Sequence, residues 1–263
     1  MCEIAAGIEK AKGLMDTIAR SYAAILGDGL TGIYVHGSLA FGCFCWQTSD
    51  IDFIVVTEAP PQQWQKQEMI AQLLRLDAAA PAKGFEMSVV RRQDCLHFVY
   101  PTPFSLHYSN THKAGYEKDL PGYCAQMQGV DKDLAAHFTV IRHVGVTWLG
   151  VDKKEVFAPV PPEDYLDSIR EDIANAQRDI LQNPVYVVLN LCRVLAYVQE
   201  GLVLSKQQGA VWGMEHLPGV YRGVIAAALR RYEGGPAAGE LTDAGALASF
   251  ARDMLGRLFV PQA

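Results

Sequence analysis

The chain has 263 residues, half of them hydrophobic and a fifth charged, which is enough apolar material for two ordinary domains and excludes wholesale disorder. Its formal net charge of −6 argues against a nucleic-acid binder, which would carry a basic footprint, and is compatible with a cationic substrate. Six cysteines form no CxxC pair and have no histidine cluster beside them, so they are expected to be buried, reduced thiols rather than zinc ligands or disulfides. The first residues lack the basic and apolar blocks of a secretory leader, and no run is long enough to cross a bilayer. These features lead to the expectation of a cytoplasmic protein.

In chain order, residues 4–26 carry Ile8, Leu14, Ile18, Tyr22 and Ile25 at helical spacing, which predicts a helix ending before Gly27. Residues 32–36 read as a short buried strand and Ile51–Thr57 as a second. Pro60 and Pro61 announce a helix over 64–79, with Met69, Ile70, Leu73, Leu74 and Leu76 turned inward. Phe85–Val90 alternates as a third strand, and Leu96–Tyr100 is read as a fourth. Past the break at Pro159, Pro161 and Pro162 only helices are predicted, over 162–182, 185–200, 206–216, 218–232 and 240–258. An α/β domain over 1–155 is therefore expected to precede an all-helical domain over 156–263.

Chemistry concentrates in His36-Gly37-Ser38, an eleven-residue gap, and Asp50-Ile51-Asp52. Residues two apart on a strand share a face, so Asp50 and Asp52 present two carboxylates side by side at the head of an apolar strand. Without a cation between them they repel, and a divalent ion that prefers oxygen ligands resolves the repulsion. The small residues Gly37 and Ser38 allow a phosphate to approach the backbone closely. Glu86, on the next strand, can share the face of the aspartates if the two strands pair. It could then ligate a second metal ion or accept a proton from a hydroxyl. His36 reads as a packed histidine, and Arg91 and Arg92 as solvated charges.

Gly37-Ser38 followed by Ser49-Asp50-Ile51-Asp52 resembles the polymerase-β-type nucleotidyltransferase superfamily. The segments Asn190 to Leu195, Gly201 to Lys206, Trp212 to Pro218 and Arg231-Tyr232 resemble the helical domain of streptomycin/spectinomycin adenylyltransferases, in the same order along most of the chain. The resemblance implies a small mixed-sheet nucleotidyltransferase domain followed by an all-helical domain. It implies an enzyme that moves AMP from ATP to a hydroxyl of an aminoglycoside-like molecule, as in antibiotic resistance, with two Mg2+ ions. Asp50, Asp52 and Glu86 would be the metal ligands, with Glu86 as catalytic base. Gly37, Ser38 and Ser49 would hold phosphates. Arg193 and Lys206 would add positive charge to the triphosphate, and Tyr232 would contact the base.

No nucleic-acid or membrane partner is expected, and the chain is expected to be a monomer. The relatives carry a Gly-Glu-Trp segment and an acidic run that grip the cationic drug. The corresponding stretches here read Leu106-His107-Tyr108-Ser109-Asn110 and Gln182-Asn183-Pro184-Val185-Tyr186. Tyr108 stands as the candidate aromatic. Glu171, Asp172 and Asp179 could replace the missing acids, although they read more simply as a solvent-facing stripe. Streptomycin and spectinomycin are therefore expected to be poor acceptors. The same chemistry on another small molecule or a protein, and a nucleotide-binding module without turnover, are the alternatives. The complete Asp50, Asp52 and Glu86 set counts against the last.

Overall fold

A computed structural model describes residues 2–236 and 239–258. The chain divides into two compact units, Met1–Pro161 and Pro162–Ala263. Residues 156–161, expected at the head of the helical domain, group with the first unit, because Val156 and Phe157 are buried in its core.

The first unit begins with α1 (Cys2–Leu26), β1 (Leu30–Val35), α2 (Gly37–Ala40), β2 (Ile51–Thr57) and α3 (Gln63–Leu76). It continues through β3 (Phe85–Arg91), α4 (Arg92–Leu96), β4 (Thr102–Phe104), β5 (Leu106–Tyr108), α5 (Asn110–Lys118) and α6 (Leu120–Gln126). It closes with β6 (Gly129–Asp131), α7 (Asp133–His143), β7 (Val146–Gly150) and α8 (Lys153–Val156). A five-stranded sheet runs in the order β5-β3-β2-β1-β7, and β4 and β6 form a separate pair. β2 and β3 are parallel; β1 is antiparallel to β2 and β7, and β5 to β3. The sheet is therefore mixed.

Alternation along the central strands builds two cores. Phe53 and Val55 of β2 and Met87 and Val89 of β3 join Met15, Ile18 and Tyr22 of α1 and Met69, Ile70 and Leu73 of α3. The opposite set, Ile54, Val56 and Val90, packs with Leu134, Phe138 and Ile141 of α7 and with Phe157. Asp52 and Glu86 share the parity of this second face.

The reading of Leu96–Tyr100 as a strand is overturned. The backbone makes a helical turn over Arg92–Leu96 instead, held by Arg91 bonding both oxygens of Asp94 at 2.7 and 2.9 Å. The next strand begins only after Pro101.

The second unit contains α9 (Pro162–Glu171), α10 (Ala176–Asp179), α11 (Pro184–Glu200), α12 (Lys206–His216), α13 (Arg222–Tyr232) and α14 (Ala244–Leu258). The single helix expected over 162–182 is thus two. α11 is the axis of the unit, with Val187 to Cys192 and Val194 to Ala196 all buried. Gly201 ends it in the left-handed conformation at φ 69°, which a residue with a Cβ adopts only at a cost. Ser205 then caps α12 in a reciprocal box with Gln208. Among the described residues, Cys43, Cys45, Cys95, Cys124 and Cys192 are free thiols, and all but Cys43 are buried. The side chain of Cys2 lies outside the described residues. No helix among the described residues is long and apolar enough to cross a membrane.

Candidate active site

The loop before β2 closes on itself. Ser49 N–H donates to the Cys45 carbonyl at 2.8 Å, and Cys45 N–H donates to Ser49 Oγ at 3.1 Å. Ser49 is buried, and its hydroxyl is engaged in this turn. The turn delivers Asp50 to the head of β2, the central strand of the sheet. Ile51 N–H then bonds the Gly84 carbonyl at 3.0 Å, which fixes where β2 begins relative to β3. The parallel register that follows sets Asp52 directly beside Glu86. One carboxylate oxygen from each of Asp50, Asp52 and Glu86 lies within 4.8 Å of the others, and all three side chains are half-buried.

His36 and Gly37 close the site from β1. His36 N–H donates to the Asp52 carbonyl at 3.0 Å. Gly37 sits at φ 59°, and a Cβ there would lie 1.8 Å from Asp52 Oδ2. Only glycine leaves the Asp52 carboxylate its present place. In the next position, Ser38 Oγ is buried without a hydrogen-bond partner, a donor available to an incoming oxygen.

Sequence reasoning missed His137. It projects from α7 and its ring packs at a tilt against His36, with centroids 4.5 Å apart, and its Nε2 lies 4.0 Å from Glu86 Oε1. The helix that carries it was not read from the sequence. His36 is the packed histidine that was expected, and burial, with His137 beside it, holds its pKa well below the usual value. Farther along the same face Ser88 Oγ meets His107 Nδ1 at 2.9 Å. Burial, with His112 next to it, lowers the His107 pKa to about 4.

The second unit gathers its own polar group. Arg193 of α11 and Lys206, the first residue of α12, are brought together where Gly209 lets the helices approach: a Cβ there would lie 3.1 Å from the Arg193 backbone. Arg193 Nη2 donates to Asp172 Oδ2 at 2.8 Å, Tyr186 Oη donates to Asp172 Oδ1 at 2.7 Å, and Lys206 Nζ lies 4.7 Å from the centre of the Tyr186 ring. Asp172 is therefore not part of a solvent-facing stripe; Asp179, paired with its neighbour Arg178, is a surface acid. Tyr232 ends α13 and is half-exposed. Tyr108 is buried in the core on the opposite face of the sheet from Glu86, stacked on Tyr116, and so is not a site-lining aromatic.

A mixed sheet that carries three converging carboxylates beside a Gly-Ser turn defines the nucleotidyltransferase class of enzyme, and comparison with known proteins narrows the class. Residues 155–257 match the family model for the aminoglycoside adenylyltransferase C-terminal domain. An aminoglycoside (3'') (9) adenylyltransferase of Klebsiella pneumoniae is 26% identical over 211 residues, 78% of this chain and 79% of the relative. One from Rhizobium radiobacter is 26% identical over 192 residues, 71% of this chain and 70% of the relative. The fold is that of the spectinomycin adenyltransferase AAD(9) from Enterococcus faecialis, solved with ATP and spectinomycin. The TM-score is 0.76 at 18% identity, covering 94% of this chain and 98% of that one. The chain is thus similar to aminoglycoside adenylyltransferases along most of its length, and the match to their family model covers its C-terminal part.

Proposed function

We propose that the protein transfers AMP from ATP to a hydroxyl group of an aminoglycoside-like small molecule, with magnesium. The observation that carries this reading is the convergence of Asp50, Asp52 and Glu86 within 4.8 Å. All three offer hard oxygen ligands, which suits Mg2+ and not a softer ion. The unpartnered Ser38 hydroxyl and the glycine-only approach at Gly37 leave room for phosphate oxygens at the same place. Bound there, magnesium would neutralise the phosphate charge and polarise the α-phosphorus.

The chain's own groups do the rest. Asp50 and Asp52 hold the metal ligand positions, and Glu86 adds the third carboxylate. Glu86 also takes the proton as the acceptor oxygen bonds to the α-phosphorus. The bond from that phosphorus to the bridging oxygen of pyrophosphate breaks, so the electron pair leaves with pyrophosphate and the atoms balance. His137 lies 4.0 Å from Glu86, Ser38 offers its unpartnered hydroxyl to a phosphate oxygen, and Ser49 shapes the turn that presents Asp50. Arg193 and Lys206 bind the triphosphate, Arg193 through its fork and Lys206 as a point charge. Tyr232 contacts the base.

The acceptor half of the site carries fewer available acids than a polycation wants. Asn183 and Pro184 offer no carboxylate, and both oxygens of Asp172 already take donors. A less charged hydroxyl acceptor is the second reading. Purified protein with ATP labelled on the α-phosphate, Mg2+ and a panel of acceptors, including spectinomycin and streptomycin, tests both. Label should reach an acceptor with wild type and not with Asp52→Asn. Equal turnover by Asp52→Asn at saturating Mg2+ overturns the site.

A further inference from the structure

We propose that Asp172 and Tyr186 form a frame that aims Arg193 and Lys206 at the polyphosphate of the nucleotide, so that Asp172 is a positioning residue for ATP binding. The inference rests on the reading that Arg193 is a phosphate ligand.

Tyr186 and Arg193 are seven residues apart on α11, two turns along the same face of the helix. Asp172 comes from the turn after α9 and bridges them, one oxygen to each. Two bonds of 2.7 and 2.8 Å fix the carboxylate, and the fixed carboxylate in turn fixes Nη2 of the guanidinium. A guanidinium has further N–H donors to offer. Here Arg193 Nε is buried without a partner, a donor that the protein itself leaves unsatisfied. Such a group costs free energy unless something arrives to accept from it, and a phosphate oxygen suits a forked cation.

Tyr186 extends the frame to the second cation. Its hydroxyl is tied to Asp172, which holds the ring still, and the Lys206 ammonium lies over the ring face at 4.7 Å. A single carboxylate thereby sets the direction of both positive groups. Partly buried ion pairs of this kind contribute little net stability, because desolvation offsets attraction. Their value here is orientation, and neutralising Asp172 gives an effect whose sign is diagnostic. Simple electrostatics says that removing a negative charge beside a triphosphate site tightens ATP binding. A positioning role says that binding weakens.

Calorimetric titration of the full chain with ATP and Mg2+ decides between them, using Asp172→Asn, Arg193→Ala, their double variant and Tyr186→Phe, with thermal denaturation alongside. Arg193→Ala should weaken ATP binding by about tenfold or more, and Asp172→Asn by roughly three- to tenfold. The double variant should lose less than the product of the two single losses, because part of the effect of Asp172 runs through Arg193 and only the Tyr186–Lys206 part remains. Tyr186→Phe keeps the ring and the fold and should weaken ATP binding roughly two- to fourfold, by releasing the frame at its other end. Weakened binding in Arg193→Ala with unchanged or tighter binding in Asp172→Asn, or additive losses in the double variant, overturns the frame while leaving Arg193 as a phosphate ligand. If Asp172→Asn does not fold, unchanged binding in Tyr186→Phe overturns it. Unchanged binding in Arg193→Ala overturns the reading of Arg193 itself, and the frame with it.

Discussion

Gly37→Ala tests the site by geometry alone, because it adds one carbon and no charge. Two costs follow. The first is the backbone: at φ 59° an alanine pays about 1–2 kcal/mol for the left-handed conformation. The second is contact. The added Cβ would lie 1.8 Å from Asp52 Oδ2 and 2.6 Å from Cγ, so the carboxylate must withdraw by roughly 1.5 Å to reach an ordinary separation. A shift of about 1 Å at a reacting centre costs on the order of a hundredfold in rate, and this one also breaks the spacing of the three carboxylates. Gly42 supplies the control. It too has positive φ, at 73°, but a Cβ there meets nothing within 4 Å. Both variants should lose about 1 kcal/mol or more of stability to strain. Gly42→Ala should keep near-normal transfer of label from ATP, and Gly37→Ala should fall by about a hundredfold or more, with weaker Mg2+ binding by calorimetry. Activity losses within threefold of each other would show that contact with Asp52 does not matter, and would refute the reasoning.

Two further outcomes bear on the fold. His107 has its pKa lowered from 6.5 to about 4, so folding favours the neutral ring. Its contribution is complete above about pH 6.5 and is lost as pH falls from there towards 4, with a ceiling of about 3 kcal/mol. Urea midpoints at pH 7 and 4.5 should therefore differ less for His107→Gln than for wild type, with a residual slope from His36; equal differences would contradict the assignment. Asn190 is fully buried on α11, with neither its amide oxygen nor its nitrogen partnered. Asn190→Leu, which keeps the branched shape and removes both polar atoms, should stabilise the protein by about 1–2 kcal/mol in chemical denaturation, and a lower midpoint there and in the smaller Asn190→Ala would contradict an unsatisfied amide.

What could be read from the sequence is what depends on local periodicity. Ile51–Thr57 is an apolar run with turn residues before it, and β2 spans those residues. The two-residue period alone places Asp50 and Asp52 side by side, and the parity of Glu86 completes the set once β3 pairs with β2 in parallel. What could not be read depends on distant partners. Asp172 looks like one acid among several near the end of a helix; its bonds go to Tyr186 and Arg193, fourteen and twenty-one residues on, and the helix stops at Glu171 just before it. Residues 92–100 contain an apolar stretch that mimics a strand, yet the Arg91–Asp94 pair, three residues apart, favours a helical turn. His137 gave no signal, since nothing in its own neighbourhood indicates that α7 covers the carboxylates. Tyr108 alternates correctly for a strand, but the sequence does not say which face of the sheet it will take.

The pairing of Asp52 with Glu86 has a consequence for refolding. Side chains on neighbouring strand positions point to opposite faces, so a slip of one residue between β2 and β3 would leave a sheet of nearly the same strand content with its acids on opposite sides. Far-ultraviolet dichroism would hardly distinguish the two sheets. A divalent ion would, because only the correct alignment brings the three oxygens together. Recovery of metal binding after denaturation is thus a gauge of strand alignment within the first unit.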